Sequence, residues 1–259
     1  MKIVRFSASG LIHYGFVEGD SIRQIYGGPF NGIRPLDKTF KISAVKLLAP
    51  CEPSKIVAIG INYRGHAAEF KHDLPASPLM FLKPATAVIG PLADIVYPSV
   101  SRQVDFEGEL GIVIAKKARR VSAAEAMGYI LGYTCFNDVT ARDLQKLDGQ
   151  WTRAKSFDTF AAVGPWMETE LDPSDLKIET RLNGEVKQSA TTADLIFPVA
   201  RLVAAVSNVM TLLPGDLIAS GTPEGVGPMQ PGDRVEVCIE GIGTLLNHVA
   251  RETDVRPRT

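Results

Sequence analysis

Residues 105–114, with the sequence DFEGELGIVI, constrain the fold more than any other stretch of the chain. The segment Leu110–Ile114 is apolar and partly β-branched, which predicts a buried strand. If that strand extends back through Glu107, its two-residue period places Glu107 and Glu109 on one face, with Asp105 next in the row. Such neighbouring carboxylates repel by about 4 kcal/mol per pair at an effective dielectric constant of about 20. Water on an exposed face, protonation or a bound cation would each relieve this repulsion.

Length and charge exclude several classes of protein. The chain has 259 residues and a formal net charge of -1, enough for one large domain or for a small domain and a larger one. The near-neutral charge without a basic run argues against nucleic-acid binding. We expect no membrane association, because the chain has neither an apolar stretch of spanning length nor the apolar core of a signal peptide in its first residues.

The cysteines and histidines predict a cytoplasmic protein without structural zinc. Cys51, Cys135 and Cys238 are odd in number and far apart, which favours buried, reduced thiols. The four histidines form no zinc-type spacing with them.

Two domains are expected, a small β-rich domain over residues 1–50 and a main domain over 51–259. Short apolar runs broken by Gly-containing turns predict strands over 2–6, 12–17 and 21–25. In the main domain, an Asn-Gly dipeptide at 183–184 predicts a hairpin, and residues 199–210 predict an amphipathic helix.

A candidate general base lies in a helix predicted over residues 63–70, with Asn62 as its N-cap. His66 and Glu69 are three residues apart and therefore share one helix face. A carboxylate that holds an imidazole orients it and raises its basicity, although the same spacing also occurs in ordinary surface pairs.

Further polar residues follow predicted strands. Asp138 comes after a strand predicted over 129–136 and before a helix, so it is either a functional carboxylate or a helix N-cap. Lys83, Arg142 and Lys155 are cations suited to an acidic substrate. The Gly-rich loop 221–227 lacks the P-loop and dinucleotide-binding patterns, but its backbone N–H groups and the Thr222 hydroxyl can bind an anion. Three strand carboxylates are hard oxygen ligands that suit magnesium or manganese.

This ordered set of residues resembles the fumarylacetoacetate hydrolase family over roughly residues 53–251. The motifs that carry the resemblance are Asn62-Tyr63-x-x-His66-x-x-Glu69, Phe81-Leu82-Lys83-Pro84, Glu107-x-Glu109, Asn137-Asp138-x-Thr140-Ala141-Arg142-Asp143-x-Gln145, Trp151-Thr152-x-Ala154-Lys155-Ser156 and Gly221-Thr222-Pro223-x-Gly225-Val226-Gly227. Two departures are Ile61, where many members carry Arg, and Gly108, which looks like a flexible choice between the two glutamates.

The resemblance implies an α+β fold, a mixed β-sandwich roll that is usually dimeric, so we expect a homodimer. It also implies magnesium, with manganese as an alternative, held by Glu107, Glu109 and Asp138. His66 and Glu69 would form the catalytic dyad, and Gln145 and Lys155 would contact the reacting oxygens. The remaining implied substrate contacts are Lys83, Arg142, Gly221 and Thr222.

The expected function is a metal-dependent reaction of a small 2-oxo or 2-hydroxydienoic dicarboxylic acid through a metal-stabilised enolate. Hydrolysis of a C–C bond, as in acylpyruvate hydrolases, and isomerisation or decarboxylation, as for 2-hydroxyhepta-2,4-diene-1,7-dioate, share that enolate, and the motifs do not separate them. Oxaloacetate decarboxylation or tautomerisation is an alternative, and so is a non-catalytic metabolite-binding protein with the same fold.

Overall fold

The structure is a computed structural model and describes residues 1–69 and 73–254. In these two ranges it contains twenty strands and four α-helices. The first ten strands are β1 (Lys2–Ala8), β2 (Leu11–Glu18), β3 (Ser21–Ile25), β4 (Pro35–Lys41), β5 (Lys46–Leu48), β6 (Ile56–Gly60), β7 (Leu79–Lys83), β8 (Val88–Ile89), β9 (Asp94–Tyr97) and β10 (Val104–Phe106). The others are β11 (Gly108–Ile114), β12 (Ile130–Asp138), β13 (Thr140–Ala141), β14 (Ala161–Glu168), β15 (Lys177–Leu182), β16 (Glu185–Thr191), β17 (Leu217–Ala219), β18 (Gly227–Met229), β19 (Arg234–Ile239) and β20 (Gly243–Arg251). The helices are α1 (Arg64–Glu69), α2 (Arg142–Asp148), α3 (Thr152–Lys155) and α4 (Val199–Val209).

The largest sheet has twelve strands and joins the N-terminal strands to the central ones. Its main path runs β4-β3-β2-β1-β14-β12-β11-β17-β6-β7, with β5 beside β1 and β8 beside β14. The three predicted N-terminal strands are confirmed as β1, β2 and β3. Because Ile3 of β1 pairs with Met167 of β14, these strands continue the main sheet. The division into domains at residue 50 stays a prediction.

A second sheet, with the order β16-β15-β19-β20-β9, packs against the centre of the first. Apolar side chains from both sheets form one core, for example Leu110 and Ile112 of β11 with Val235 and Val237 of β19. The predicted Asn-Gly hairpin joins β15 to β16, with positive φ angles of 54° and 86° at its two turn residues. The predicted mixed β-sandwich architecture is therefore confirmed.

The acidic segment is divided between two strands. The buried strand predicted from Leu110 to Ile114 is confirmed, and every residue of β11 is buried. Glu107, however, lies in the break between β10 and β11. Gly108 is not a flexible choice, because a Cβ there would approach the Thr180 hydroxyl oxygen to 2.0 Å. The close approach of β15 therefore requires glycine at this position.

The predicted helices are present, but Asn62 does not cap one. Helix α4 matches its predicted range within one residue, and α1 begins at Arg64, while the predicted end at Phe70 lies outside the described residues. The Asn62 side chain donates to the carbonyls of Phe197 and Ser220 and accepts from the Phe197 N–H. It therefore anchors the chain before α1 to distant segments, which corrects the N-cap prediction.

Two further observations bear on the expected class of protein. Cys51 and Cys135 are buried as predicted, whereas Cys238 is half-buried, so its predicted burial is wrong. Among the residues that the structure describes, none of the helices combines the length and apolarity needed to cross a lipid bilayer.

Strand pairing brings four chain segments together at one end of the central strands of the large sheet. The start of β11 lies beside the end of β12, because Gly108 pairs with Asn137. Strand β17 is antiparallel to β11 and parallel to β6. The C-terminal ends of β17 and β6 therefore lie beside the start of β11. The Gly-rich loop follows β17, and α1 follows β6. The topology therefore gathers the predicted motifs around one place.

Candidate metal centre and active site

Three buried carboxylates converge where the end of β12 lies beside the start of β11. Glu107, Glu109 and Asp138 are 5%, 1% and 1% exposed, and each offers an oxygen within 4.8 Å of the other two. Asp138 is the last residue of β12, and α2 has Ala141 at its N-cap position. The Asp138 carboxylate therefore belongs to the acidic cluster and is not a helix cap.

Two lysines neutralise part of this charge. Lys155 Nζ donates to Glu107 Oε2 at 2.8 Å and to Asp138 Oδ2 at 2.7 Å. Burial alone would lower the pKa of Lys155, but Asp138 and Glu107 outweigh it, and the pKa is raised. Lys83, fully buried, donates to Asp138 Oδ1 and to the Val139 carbonyl. Both amines are therefore held as structural and electrostatic partners of the carboxylates.

Arg142, at the start of α2, ties Glu107 to the neighbouring acidic residue of β10. Its guanidinium donates to Asp105 through Nε at 2.8 Å, to Glu107 through Nη2, and to Gln145 through Nη1 at 2.7 Å. Burial raises the pKa of Glu107, but Lys155 and Arg142 more than reverse this, so the pKa lies well below its ordinary value. Glu107 is therefore an ionised and firmly oriented ligand.

Glu109 differs from its neighbours because it forms no ion pair among the described residues, although the charge of Lys155 opposes part of the rise in its pKa. Its carboxylate accepts one hydrogen bond, from the Gly221 N–H at 2.8 Å. Burial, and then the charges of Asp138 and Glu107, raise its pKa well above the ordinary value. The buried cluster as a whole contains four acidic and three basic side chains, so the acidic groups outnumber the basic ones by one. Its members are Asp105, Glu107, Glu109, Asp138, Lys83, Arg142 and Lys155.

The predicted dyad faces this cluster from α1. His66 Nδ1 lies 3.3 Å from Glu69 Oε2, and the other oxygen of Glu69 accepts from the Gly225 N–H at 3.2 Å. Burial lowers the pKa of His66, while the charges of Glu107 and Glu69 oppose this in part. His66 is therefore neutral at physiological pH and able to accept a proton.

A cavity of about 280 Å³ lies between the acidic cluster and α1. The predicted residues that line it are His66, Glu107, Glu109, Asp138, Arg142, Gln145, Lys155 and Thr222. Glu69, Lys83 and Gly221 do not line it and lie behind His66, Asp138 and Glu109 respectively. Sequence reasoning did not single out five of the lining residues as site residues: Ile59, Gly60, Phe81, Lys146 and Trp151. Phe81 and Trp151 stand inside the quoted motifs, whereas Lys146 carried no signal.

The Gly-rich loop contributes mainly to the wall of the site. Thr222 Oγ1 donates to the Gly108 carbonyl at 2.9 Å and accepts from Gln188 Nε2 at 2.8 Å. Gly221 has a φ of 96°, and a Cβ there would approach the Cβ of Asn62 to 2.7 Å. Glycine therefore lets the loop approach close enough for its N–H to reach Glu109. Both residues remain predicted substrate contacts.

Comparison with known proteins assigns the family. The model of the fumarylacetoacetate hydrolase C-terminal domain matches residues 55–250, and an "Rv2993c-like, N-terminal" model matches residues 1–50. The chain belongs to the fumarylacetoacetate hydrolase family. Ile61, predicted as a departure from the family pattern, lines the cavity with a φ of 54°.

Three relatives illustrate the activities found on this fold. The structure of a 2-hydroxyhepta-2,4-diene-1,7-dioate isomerase from Mycobacterium marinum is 47% identical, with a TM-score of 0.92 over 97% of this chain and 99% of that one. Oxaloacetate tautomerase YisK from Bacillus subtilis is 43% identical over 81% of this chain and 75% of its own. A maleylpyruvate hydrolase from Sphingobium, solved with manganese(II) and pyruvate, is 31% identical, with a TM-score of 0.81 over 97% of this chain and 99% of that chain.

The donor set of this chain fits a divalent cation. The three carboxylates supply hard oxygen donors within 4.8 Å of one another. An ionised carboxylate that is buried without a cation is strongly disfavoured, so Glu109 requires either a proton or a positive ion. The cavity on the side of His66 leaves room for further oxygen ligands from a substrate.

Proposed function

We propose that this protein is an enzyme that depends on magnesium or manganese and moves a proton in a small 2-oxo dicarboxylic acid, as a tautomerase or isomerase. The observation that carries the proposal is that His66, held by Glu69, and the three buried carboxylates line one cavity. The isomerase and tautomerase among the relatives support the same type of reaction.

The carboxylates and Lys155 would stabilise negative charge on the substrate. A divalent ion held by Glu107, Glu109 and Asp138 would supply Lewis-acid charge for the substrate's 2-oxo oxygen as it becomes an enolate. Lys155 already lies between two of those carboxylates and faces the cavity, so its ammonium adds positive charge at the same place.

His66 would exchange the proton. Its Nδ1 is directed to Glu69, so Nε2 is the atom through which the ring would act on the substrate carbon. Glu69 fixes the ring orientation and stabilises the imidazolium after proton transfer. Because burial lowers the pKa of His66, the ring is in the proton-accepting form at neutral pH.

The cavity mouth supports a substrate with a second carboxylate. Lys146 lines it, is exposed, and has no ion-pair partner among residues 1–69 and 73–254. Phe81 and Trp151 meet edge to face, with ring centroids 5.2 Å apart, and form an apolar part of the same cavity wall. The Phe81 ring centroid lies 5.1 Å from Lys155 Nζ, at the acidic cluster. A short carbon chain along these rings would place its distal carboxylate near Lys146.

Hydrolysis of a C–C bond is the second candidate. The same His66–Glu69 pair can activate a water molecule, because a neutral, oriented imidazole is a general base for water as well as for carbon. The maleylpyruvate hydrolase among the structural relatives favours this candidate. The two reactions differ in their products, so product identification separates them.

The deciding experiment is an assay with metal and product identification by NMR. Metal-depleted protein, alone or with magnesium or manganese, is incubated with oxaloacetate, 2-hydroxyhepta-2,4-dienedioate, fumarylpyruvate and acetylpyruvate. We expect metal-dependent turnover of a dicarboxylate that is lost in Glu69→Gln and retained in Asp148→Asn, which changes only a surface ion pair. Full turnover after chelation would contradict the proposal. Binding of oxalate without turnover of any substrate would instead favour a non-catalytic metabolite-binding protein.

We also propose a homodimer. Strand β7 ends the main path of the large sheet, and its Leu79 and Leu82 side chains are 43% and 47% exposed. Apolar side chains on a strand at a sheet edge favour association with another protein surface. Light scattering at micromolar concentration should give twice the mass of the chain, and a monomer would contradict this.

A further inference from the structure

A second cavity, of about 380 Å³, lies between the N-terminal strands and the segment around β8. It shares no lining residue with the cavity at the acidic cluster. Much of its wall is apolar, and three charged side chains contribute to the rest, Arg5, Lys46 and Glu52. A chamber of this size and character accommodates a small organic molecule.

Arg5 is the unusual residue of this cavity. The two-residue period of β1 places it on the face of Ile3, which packs in the cluster that also contains Ala49 and Cys51. The residue is only 8% exposed, and its buried Nε has no hydrogen-bond partner. Buried arginine donors are ordinarily satisfied, so this guanidinium retains unused donor capacity.

The carboxylate that pairs with Arg5 is poorly anchored. Glu52 contacts Arg5 Nη2, but its own side chain is 69% exposed. Glu52 can therefore turn into water when another anion takes its place on the guanidinium. Lys46, also exposed, has no ion-pair partner in the described part of the chain. The two cations and one carboxylate leave a single positive charge in the cavity.

We propose that this cavity binds a small monocarboxylic acid with an apolar body, whose carboxylate replaces Glu52 on Arg5. A planar carboxylate accepts two parallel N–H bonds from a guanidinium, and the second bond would use the unpartnered Nε. Once Glu52 has turned into water, Arg5 and Lys46 both lack a carboxylate, and the ligand's single negative charge takes the place of Glu52 on Arg5. The apolar body would pack on the walls contributed by Leu48, Val88 and Ile89.

The test uses 4-fluorobenzoate as the probe, with binding to the full chain followed by fluorine NMR. Removing the guanidinium in Arg5→Met should weaken binding at least tenfold. Removing the internal competitor in Glu52→Gln should tighten binding several-fold, which a nonspecific effect of mutation would not do. The uncharged analogue 4-fluorobenzamide should bind at least tenfold more weakly than the acid.

Two exposed lysines provide a matched control. Lys46→Met should weaken binding a few-fold, because Lys46 lines this cavity, whereas Lys146→Met, at the mouth of the other cavity, should leave binding unchanged. Unchanged affinity in Arg5→Met, or weaker affinity in Glu52→Gln, would overturn the proposal. If Arg5→Met fails to fold by circular dichroism, the Glu52 and Lys46 variants decide the question.

Discussion

Two buried carboxylates of this protein, Asp216 and Glu109, have nearly the same burial and very different surroundings. Asp216 is fully buried, and its oxygens accept from the Ser54 hydroxyl at 2.6 Å, from three backbone N–H groups and from the Lys55 ammonium. Glu109 is 1% exposed and accepts a single backbone N–H bond. Asp216 is therefore satisfied by the chain itself, whereas Glu109 is not.

The difference separates a structural charge from a functional one. A buried charge with a full set of donors holds segments together, and its removal leaves those donors without a partner. A buried charge without a cation costs stability and persists where something outside the chain neutralises it. The comparison predicts that Asp216 contributes mainly to folding and Glu109 mainly to ligand binding.

The largest expected effect is the loss of stability in Asp216→Asn. The new amide NH2 would face donors, and Lys55 would lose its counter-charge, so we expect the free energy of unfolding to fall by about 3 kcal/mol. Chemical denaturation of the metal-free protein measures this. The folded fraction should still bind magnesium, and a loss of metal affinity in it would break the comparison.

The next effect is the loss of activity in Glu109→Gln. An amide is a weak ligand for a hard divalent ion, so kcat/KM should fall by about 100-fold or more, in line with the effect of disturbing a metal site. The unfolding free energy of the metal-free variant should equal or exceed that of the wild type, because a buried charge has been removed. If the variant were strongly destabilised but active, Glu109 would, like Asp216, contribute mainly to folding.

The third prediction concerns pH in the absence of metal. The pKa of Glu109 is raised above its ordinary value of 4.5, so its contribution to stability is full below about that pH and is lost as the pH rises through the folded-state pKa. The wild type should therefore lose stability relative to Glu109→Gln on going from acidic to neutral pH, by at most about 1.4 kcal/mol per pH unit. Parallel denaturation series measure the gap, which saturating magnesium should close.

The smallest effect extends the comparison to two lysines. Lys55 pairs with Asp216, whereas Lys146 has no ion-pair partner among the described residues. Lys146→Met should raise KM for a dicarboxylic substrate about five-fold, corresponding to about 1 kcal/mol for an exposed charge pair. KM for a monocarboxylic substrate such as acetylpyruvate should not change. An equal rise in KM for both substrates would show that Lys146 does not act on the distal carboxylate.

Much of the fold could be predicted from local pattern. The apolar run Leu110–Ile114, the Asn-Gly turn at 183–184 and the amphipathic segment 199–210 each specify their own structure, because periodicity and turn chemistry act over a few residues. The N-cap assignment of Asn62 was wrong because the hydrogen bonds of this side chain depend on residues distant in sequence. Its partners, Phe197 and Ser220, are more than 130 positions away and left no trace in the local sequence.

The sequence predicted which residues form the candidate site, but not how they are arranged in space. Residue type grouped Lys83 and Lys155 as cations suited to an acidic substrate, yet Lys83 lies behind Asp138 and Lys155 lines the cavity. Lys146 was not singled out, because one lysine on an exposed helix face resembles any other. Only the packing of α2 against the cavity distinguishes it.

The amino-acid sequence alone determined the family, the strand and turn elements and the residue types available for metal and proton chemistry, since these depend on local pattern and ordered motifs. The tertiary structure decided which charges neutralise each other. Three cations form ion pairs with Glu107, Asp138 and Asp105, and among the described residues none forms one with Glu109. Strand pairing decides this, because it brings residues distant in sequence to the same end of the central strands. The energy of a buried charge depends on those neighbours in space, and the same holds for Arg5 in the second cavity.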